Sequence, residues 1–264
     1  HDGAVAGVLP VFELAHARFG TAFNSLPWYG THGGCLIQRD GDPSVRARLL
    51  DRYRALIDHE SVAFATMVLS LSENAMVDQY VRALRPEVTD RRIGQVTILP
   101  PNDDHVEARL EAVLTQKTRN LARKARRQPF ELGVEDDDDA WRFLFETHAE
   151  NMAGIGGNSK PRAHFDAMRQ TIPLAWRQLS VARMDGTPVA AMLVFRFNQT
   201  IEYITPVIRH EYRSMQPLSF LIWHGMLDAI RNGYRWWNWG GTWLTQASLH
   251  HFKAGWGAVD RPYT

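Results

Sequence analysis

One order of predicted elements occurs twice in this chain, and it limits the folds that the chain can adopt. In each half, two apolar strands precede an irregular stretch, a helix that opens at a proline (Pro43 or Pro217), and a further strand. The first strand of each set follows an Asp-Gly turn, so that residues 5–9 align with residues 189–193 as a weak internal repeat. Strands that alternate with helices are typical of mixed sheets, and the sequence therefore predicts an α/β fold of two related units.

The segment between the two repeats is predicted to be mostly helical. A strand is predicted over residues 91–99, where Pro100 stops it, and one long or broken helix is predicted over residues 105–128. A chain of 264 residues is long enough for two small domains. We therefore place the first unit at residues 1–100 and the second unit at residues 101–264.

Composition limits the class of protein. The net charge of +1 gives no overall field toward nucleic acid or membrane. No apolar run reaches the roughly 18 residues that a membrane helix requires, so no membrane span is predicted. Cys35 is the single cysteine, which excludes a disulfide within the chain and suits a reducing compartment. We expect a cytoplasmic monomer in which Cys35 is a small buried side chain.

The histidines do not form a recognisable metal-binding pattern. His250 and His251 are adjacent and therefore point to different faces, and the chain has no His-Glu-x-x-His motif. We expect no metal. His148 lies between two glutamates in a predicted helix, and we expect it on the helix surface.

A basic stretch follows one face of the predicted helix over residues 105–128. Its basic residues are Lys117, Arg119, Arg123, Lys124, Arg126 and Arg127. Spacings of three and four residues place most of them on one face. Such a face can bind a phosphate-rich ligand such as tRNA by releasing counterions. A solvated surface helix, partly neutralised by the acidic residues 135–139, is the alternative.

A polar stretch, residues 209–216, stands directly before the helix that opens at Pro217. Backbone N–H groups and the helix dipole make such a place an anion site, and Arg209, Arg213 and Ser214 can add to it. An ordinary loop in which Ser214 or Gln216 caps the helix is the alternative.

The C-terminal segment combines aromatic residues, glycines and a lysine. Trp236, Trp237 and Trp239 predict a strand, Gly240 ends it, and a short amphipathic piece leads to Lys253. A lysine among aromatic residues and glycines is placed to meet an anion. A hydrophobic final strand followed by a solvated lysine is the alternative.

Four stretches resemble motifs of the Fem-type (FemABX-like) aminoacyltransferases and their GNAT-like relatives. They are residues 114–125, 185–191, 233–241 and 252–257, the last reading Phe-Lys-Ala-Gly-Trp-Gly. The resemblance covers nearly the whole chain and is strongest after residue 114. It implies two GNAT-like units in tandem, with mixed sheets flanked by helices, in agreement with the internal repeat.

The resemblance also implies an activity, the transfer of an aminoacyl group from aminoacyl-tRNA to an amine. The acceptor would be a peptidoglycan precursor or a small metabolite, and the product an amide. Aminoacyl-tRNA is then the donor, and no other cofactor is expected. Two alternatives remain, a GNAT-type N-acyltransferase whose CoA or carrier thioester is held at residues 209–216, and a non-catalytic GNAT-like binding module.

Site residues are carried over from the resemblance and from the chemistry of aminolysis, which requires oxyanion stabilisation and a route for a proton. Lys253 matches the lysine of the family's Phe-Lys motif and is the expected electrostatic stabiliser. Tyr203 and Tyr212 are candidate proton carriers. Asn238 stands where the family usually has aspartate, so the role of a base at that position is in doubt. The substrate-binding candidates are Trp28, Tyr29, Arg209, Arg213, Ser214, Gln216, Trp239 and Trp243, with core packing as the alternative for Trp239.

Overall fold

The computed structural model describes residues 3–26, 32–243 and 245–264. The strands within these residues are β1 Gly7–Val8, β2 Phe12–His16, β3 Gly20–Asn24, β4 Leu36–Ile37, β5 Val62–Thr66, β6 Arg92–Ile98, β7 Glu131–Glu135, β8 Arg177–Met184, β9 Thr187–Phe197, β10 Thr200–Ile208, β11 Trp236–Thr242 and β12 Ala258–Tyr263. The helices are α1 Ser44–Ile57, α2 Val77–Leu84, α3 Val106–Val113, α4 Gln116–Arg126, α5 Asp138–Ala153, α6 Arg162–Thr171, α7 Pro217–Arg231 and α8 Ala247–Gly255. Short 3₁₀ helices span Asn74–Met76, Leu174–Trp176 and His210–Met215.

The chain divides into two compact units. Unit 1 comprises His1–Gly94, Gly241–Thr245 and Arg261–Thr264, and unit 2 comprises Gln95–Gly240 and Gln246–Asp260. This division is based on compactness alone and does not show where one GNAT-like unit ends and the next begins. The boundaries placed at residues 1–100 and 101–264 therefore stay a prediction.

Unit 1 is built on a three-stranded sheet of order β2-β3-β5. Strands β2 and β3 form an antiparallel hairpin, and β5 returns parallel to β3 after helix α1. Helix α1 follows Pro43, and the Asp42 carboxylate accepts a hydrogen bond from the Ser44 N–H at 2.8 Å, which satisfies a donor of the first turn. Leu50 and Tyr53 of this helix pack with Cys35, whose predicted burial is confirmed.

The larger sheet has the order β12-β6-β11-β10-β9-β8-β7. Strands β9 and β10 form an antiparallel hairpin, and β11 returns parallel to β10 after helix α7. This hairpin, helix and parallel strand repeat the order found in unit 1, so the predicted internal repeat of elements is confirmed. Its predicted residue alignment is wrong, because β1 pairs with β4, and β2 rather than residues 5–9 occupies the place of β9.

Helices cover both faces of the larger sheet. Strand β9 is buried throughout Val189–Val194, since alternate side chains enter two different hydrophobic clusters. Helices α3, α4 and α7 contribute to the cluster on one face, and α5 and α6 contribute to the cluster on the other face. The functional side chains described below lie at strand ends and helix faces held by these layers.

The basic segment forms two helices. Thr115 has an extended backbone conformation, and its hydroxyl accepts a hydrogen bond from the Thr118 N–H at the start of α4. This cap breaks the predicted 105–128 helix into α3 and α4. Their junction turns several arginines of α4 back toward α3.

Candidate active site

The candidate site lies where strands β10 and β11 meet in unit 2. Parallel pairing joins Thr200–Glu202 to Trp236–Asn238. Immediately afterwards, β10 has an irregularity against β9 between Tyr203 and Thr205. A bulge bends its strand and redirects the following side chains, a feature that is common beside active sites.

A chain of hydrogen bonds links this meeting point to helix α8. The Asn238 side-chain amide donates to both Glu202 carboxylate oxygens, at 2.9 and 3.1 Å. The Gly240 N–H donates to Asn238 Oδ1 at 2.9 Å, and Lys253 Nζ donates to the Gly240 carbonyl at 3.4 Å. The Glu202 carboxylate and the Lys253 ammonium group are thus the two ends of one chain of hydrogen bonds, which passes through Asn238 and Gly240 of strand β11.

Both ionisable ends of this chain are perturbed by burial. Burial raises the pKa of Glu202, an effect that the hydrogen bond from Asn238 opposes. Lys253 is only 4% exposed, and burial lowers its pKa to about 8. The alternative of a solvated lysine is therefore wrong. Perturbed acid and base groups held together are a recognised, though not unique, signature of a functional site.

Asn238 has a defined structural role. Its amide nitrogen donates to Glu202 while its amide oxygen accepts from Gly240. An ionised aspartate at this position has no donor to offer and would place a second negative charge beside Glu202. Asn238 therefore supplies both a donor to Glu202 and an acceptor for the Gly240 N–H, which an ionised aspartate cannot do.

Trp239 and Tyr203 pack together beside this chain. Their ring centroids are 4.9 Å apart, and Trp239 is 3% exposed with its indole N–H donating to Thr97 Oγ1 at 2.9 Å. This burial favours core packing for Trp239, and its role in substrate binding stays a prediction. The buried Tyr203 hydroxyl has no hydrogen-bond partner within the part of the chain that the structure describes. Burial raises the pKa of Tyr203, so this hydroxyl stays protonated.

The other predicted aromatic residues are Trp243, Trp28 and Tyr29. Trp243 belongs to unit 1, is about half exposed, and has the Arg92 guanidinium 4.1 Å from its ring centroid. Trp28 and Tyr29 lie outside the described residues. Their predicted roles in substrate binding stay predictions.

Most of the stretch 209–216 forms a short 3₁₀ helix, His210–Met215, rather than an open loop. The Arg209 N–H donates to the Val189 carbonyl, the Tyr212 N–H to the Arg209 carbonyl and the Gln216 N–H to the Arg213 carbonyl, so these three backbone donors are already used. Pro217, the first residue of α7, has no N–H. Gln216 stands at the N-cap position of α7 with a left-handed φ of +67°, and its side chain accepts from the Ser219 hydroxyl at 3.2 Å rather than from a backbone N–H of the first turn.

The side chains of this stretch differ in accessibility. Arg213 and Ser214 are exposed, whereas Tyr212 packs partly buried against the core on the α7 face of the sheet. The Arg209 guanidinium lies 5.5 Å from the ring centroid of Phe143. Arg213 and Ser214 can therefore meet a ligand from solvent, while Tyr212 is partly committed to packing.

The basic residues of α4 fall into two groups. Glu111 of α3 pairs with Arg123 at 2.5 Å and with Arg126 at 2.6 Å, and Arg119 donates to the Glu111 and Leu114 carbonyls. Lys117, Lys124 and Arg127 are exposed. A cavity of about 300 Å³ on this helix is lined by Asn120, Arg123, Lys124, Arg127 and Gln128. Fewer basic residues of the predicted tRNA-binding face are therefore available to a ligand than the sequence pattern predicts.

Three ionisable residues of interest were missed at the sequence level. Glu202 could have been noticed as a lone charge within an apolar strand, and Lys160 as one of few lysines. His148 was expected on the helix surface, which is wrong, because it is 8% exposed and its Nε2 accepts from the Lys160 N–H at 3.2 Å. The loop before α6 covers this face of α5, and local sequence does not show that.

In the ranges 3–26, 32–243 and 245–264, no group of three or more histidine, cysteine, aspartate or glutamate side chains could hold a metal ion. Among the helices of those same ranges, none is both long and apolar enough to cross a membrane.

Comparisons with known proteins agree with this architecture. A family model described as an acetyltransferase (GNAT) domain matches residues 113–253, more than half of the chain. A comparison with curated proteins found no match. Among solved structures, FemX is similar over 99% of this chain and 85% of its own, at 13% identity and a TM-score of 0.71.

Two further structures share the fold. L-PGS from Bacillus licheniformis is similar over 96% of this chain and 79% of its own, at 14% identity and a TM-score of 0.57. A tandem GNAT protein from the clavulanic acid biosynthesis pathway is similar over 94% of this chain and 74% of its own, at 13% identity and a TM-score of 0.55. The predicted α/β fold of two tandem GNAT-like units is confirmed. The chain belongs to the acetyltransferase (GNAT) domain family and has the fold of the Fem-type acyltransferases.

Proposed function

We propose that this protein is an aminoacyltransferase that moves an aminoacyl group from aminoacyl-tRNA to an amine of a peptidoglycan precursor or a small metabolite. The observation that carries the proposal is the hydrogen-bonded chain from Glu202 to Lys253, which holds a buried carboxylate and a buried ammonium group in unit 2. Both groups are the kind that amide formation from an ester uses. The partners are aminoacyl-tRNA and the amine acceptor, and the protein acts as a cytoplasmic monomer without a further cofactor.

In this reaction the acceptor nitrogen forms a bond to the aminoacyl carbonyl carbon, and the ester bond to the ribose oxygen breaks. Negative charge develops first on the carbonyl oxygen and then on the leaving ribose oxygen. The Lys253 ammonium stabilises this charge from a buried position, where electrostatic interactions are stronger than in water. The lysine is oriented in advance by its hydrogen bond to Gly240.

The proton lost by the attacking amine goes to Glu202. Its carboxylate is held by two hydrogen bonds from Asn238, and burial raises its pKa, which makes it a stronger base than an exposed glutamate. The ribose oxygen gains a proton in the same turnover. Tyr203 and Tyr212 remain the candidate carriers for that proton, and Tyr203 is protonated as this role requires.

The donor is proposed to be tRNA rather than CoA because of the two candidate anion sites. Three backbone N–H groups of the stretch 209–216 already donate within the protein and a proline follows, so fewer N–H groups are left to bind a pyrophosphate. By contrast, Lys117 and Lys124 remain exposed on α4, and Arg127 is exposed directly after it. The exposed Arg213 and Ser214 favour the CoA- or carrier-dependent N-acyltransferase as the second candidate.

The test is transfer from a mixed pool of radiolabelled aminoacyl-tRNAs to a panel of amine acceptors, with and without ribonuclease. Acyl-CoA donors are assayed in parallel. We expect transfer that ribonuclease abolishes. Ribonuclease-resistant transfer from a thioester would instead establish the N-acyltransferase, and ligand binding without turnover would establish the binding module.

The role of Lys253 is tested in the same assay with Lys253→Ala. Removing a preorganised stabiliser of developing charge costs roughly 10²- to 10³-fold in kcat, and we expect a loss of that order. Arg142→Gln is the control, since Arg142 is an exposed residue of α5 that pairs with Asp139 three residues before it, and exposed pairs of this kind contribute little. Near-normal turnover of a folded Lys253→Ala protein would remove Lys253 from the mechanism.

A further inference from the structure

A second group of basic side chains lies on the face of the larger sheet that α5 and α6 cover. The loop before α6 returns to the sheet so that the Lys160 N–H donates to His148 Nε2 and Lys160 Nζ donates to Thr205 Oγ1, each at 3.2 Å. The rings of His148 and His164 both contact the ring of Phe165, with centroids 5.4 and 5.9 Å from it. Residues from α5, the loop, α6 and β10 therefore converge on one place.

These basic groups disfavour one another's positive charge. Burial lowers the pKa of His148, and the nearby Lys160 and His164 lower it further. Burial likewise lowers the pKa of His164, again with a contribution from Lys160, and burial lowers the pKa of Lys160. An anion placed among them would offset both the burial and the mutual repulsion.

The position of this group relates it to Glu202. Glu202 and Thr205 lie opposite Phe195 and Leu193 of β9, which are two residues apart. Side chains two residues apart along a strand project from the same face, separated by roughly 7 Å. The basic group and the proposed base therefore share one face of the sheet. Lys160 and His164 are partly exposed, so a solute can reach the group.

We propose that Lys160, His148, His164 and Thr205 form a subsite for an anionic group, a carboxylate or a phosphate, carried by the acceptor amine. This inference rests on the proposed function, because it assigns the acceptor to the face on which Glu202 stands. The acceptor is then an amine whose acidic group lies roughly 7 Å from the reacting nitrogen, the spacing of the β9 residues Phe195 and Leu193 that stand opposite Glu202 and Thr205. Lys160 and the Thr205 hydroxyl bind the anion, and the histidine rings add hydrogen bonds to it.

Anion binding is measured first, without any donor. Sodium acetate and inorganic phosphate are titrated in turn into the full-length protein at constant ionic strength, with sodium chloride as the reference. The ring signals of His148 and His164 are followed by NMR and assigned with His148→Phe and His164→Gln. We expect saturable shifts of both signals with one of the two anions, which also distinguishes carboxylate from phosphate.

Lys160→Met should abolish these shifts, and Lys160→Arg, which keeps the charge, should retain them. Arg142→Gln, on the outer surface of α5, should behave as the wild type. Unfolding is checked by circular dichroism, and Lys160→Arg supplies the comparison if Lys160→Met does not fold. Absence of a saturable shift in the wild-type protein, or equal shifts in a folded Lys160→Met, would overturn the subsite.

Acceptor preference is then measured with pairs of amines that differ only in an acidic group, such as an amino acid and its amide. We expect a KM about tenfold lower for the acidic member, since a charge-assisted hydrogen bond contributes at least that factor. Lys160→Met should remove this preference, whereas Arg142→Gln should keep it at the wild-type level. Equal KM values for both members in the wild type would contradict the proposal.

The two proposals fail in distinguishable ways. Saturable anion binding that depends on Lys160, together with transfer from a thioester, would keep the subsite and overturn the tRNA donor. Ribonuclease-sensitive transfer without acidic-group preference would keep the aminoacyltransferase and overturn the subsite.

Discussion

Lys253 carries a charged group into an environment where only 4% of the residue is exposed. The ammonium loses most of its hydration there and gains the Gly240 carbonyl, which is available in this direction because Gly240 adopts a left-handed φ of +73°. Burial of a charge is unfavourable unless hydrogen bonds or an opposite charge offset the lost hydration. The lowered pKa of Lys253 indicates that the lost hydration of its ammonium group is only partly offset. The buried ammonium group of Lys253 therefore destabilises the fold.

Replacement of Lys253 by methionine should stabilise the protein at neutral pH. The pKa of Lys253 is about 8 in the folded state against 10.5 ordinarily, so the cost of burying the ammonium is complete below pH 8 and vanishes as the pH rises toward 10.5. We expect Lys253→Met to be about 2 kcal/mol more stable than the wild type at pH 7, and the difference to shrink by pH 10. Urea unfolding at both pH values measures this. A variant that is no more stable at pH 7, with a difference that does not change with pH, would show that the lysine is not buried as described.

At the scale of elements, the junction of α3 and α4 decides how much basic surface the protein presents. Glu111 lies on the last turn of α3 and pairs with Arg123 and Arg126, which the sequence places on the basic face. The hydrogen bond from Arg123 lowers the pKa of Glu111, with a further contribution from Arg126. Arg126 also stacks 4.2 Å from the ring centroid of Trp223 on α7. Part of the basic pattern therefore holds three helices together.

Replacement of Glu111 by glutamine should loosen this junction. Its side chain is 18% exposed and that of Arg126 is 25% exposed, so the network is shielded more than an ordinary surface pair. We expect a loss of about 1–2 kcal/mol in the free energy of unfolding at pH 7, measured by urea unfolding. Glu107→Gln is the matched control, with expected losses under about 0.5 kcal/mol, because its carboxylate is 56% exposed and 3.5 Å from Arg126. Equal effects of the two substitutions would contradict a structural role for Glu111.

At the scale of the whole molecule, neither compact unit is one continuous segment of the chain. Unit 1 is completed by the last residues of the chain, Arg261–Thr264. Within unit 1, the Leu69 N–H donates to the Thr264 carbonyl at 2.8 Å, and Tyr263 is only 2% exposed. A cut of the chain at residue 100 would therefore leave unit 1 without part of its own packing.

Replacement of Tyr263 by alanine should destabilise unit 1. Truncation of a buried aromatic side chain costs roughly 3 kcal/mol, and we expect faster amide hydrogen exchange over α1 and α2, measured by mass spectrometry. Val259→Ala is the control, since Val259 is 45% exposed and belongs to unit 2. Unchanged exchange over α1 and α2 in Tyr263→Ala would contradict the assignment of the C-terminal residues to unit 1.

The sequence by itself determined the order of elements and several of their ends. Helix α7 begins at Pro217 and is followed by Gly233, which has a φ of +79°, because proline is suited to a first helical turn and glycine to the left-handed position after the last turn. The repeated hairpin, helix and strand could be predicted for the same reason, since strands, turns and caps depend on neighbouring residues. The proposal of Lys253 as a site residue also came from local sequence, through its match to a motif of the family.

The tertiary structure alone decided which distant side chains meet. Glu202 and Asn238 are 36 residues apart, and Lys160 and Thr205 are 45 residues apart, so that no local pattern relates them. The burial of His148 likewise depends on a loop that folds over its helix, whereas its glutamate neighbours predict exposure. Strand pairing and helix packing bring these residues together, because burial and hydrogen bonding are satisfied by the fold as a whole and not by adjacent residues.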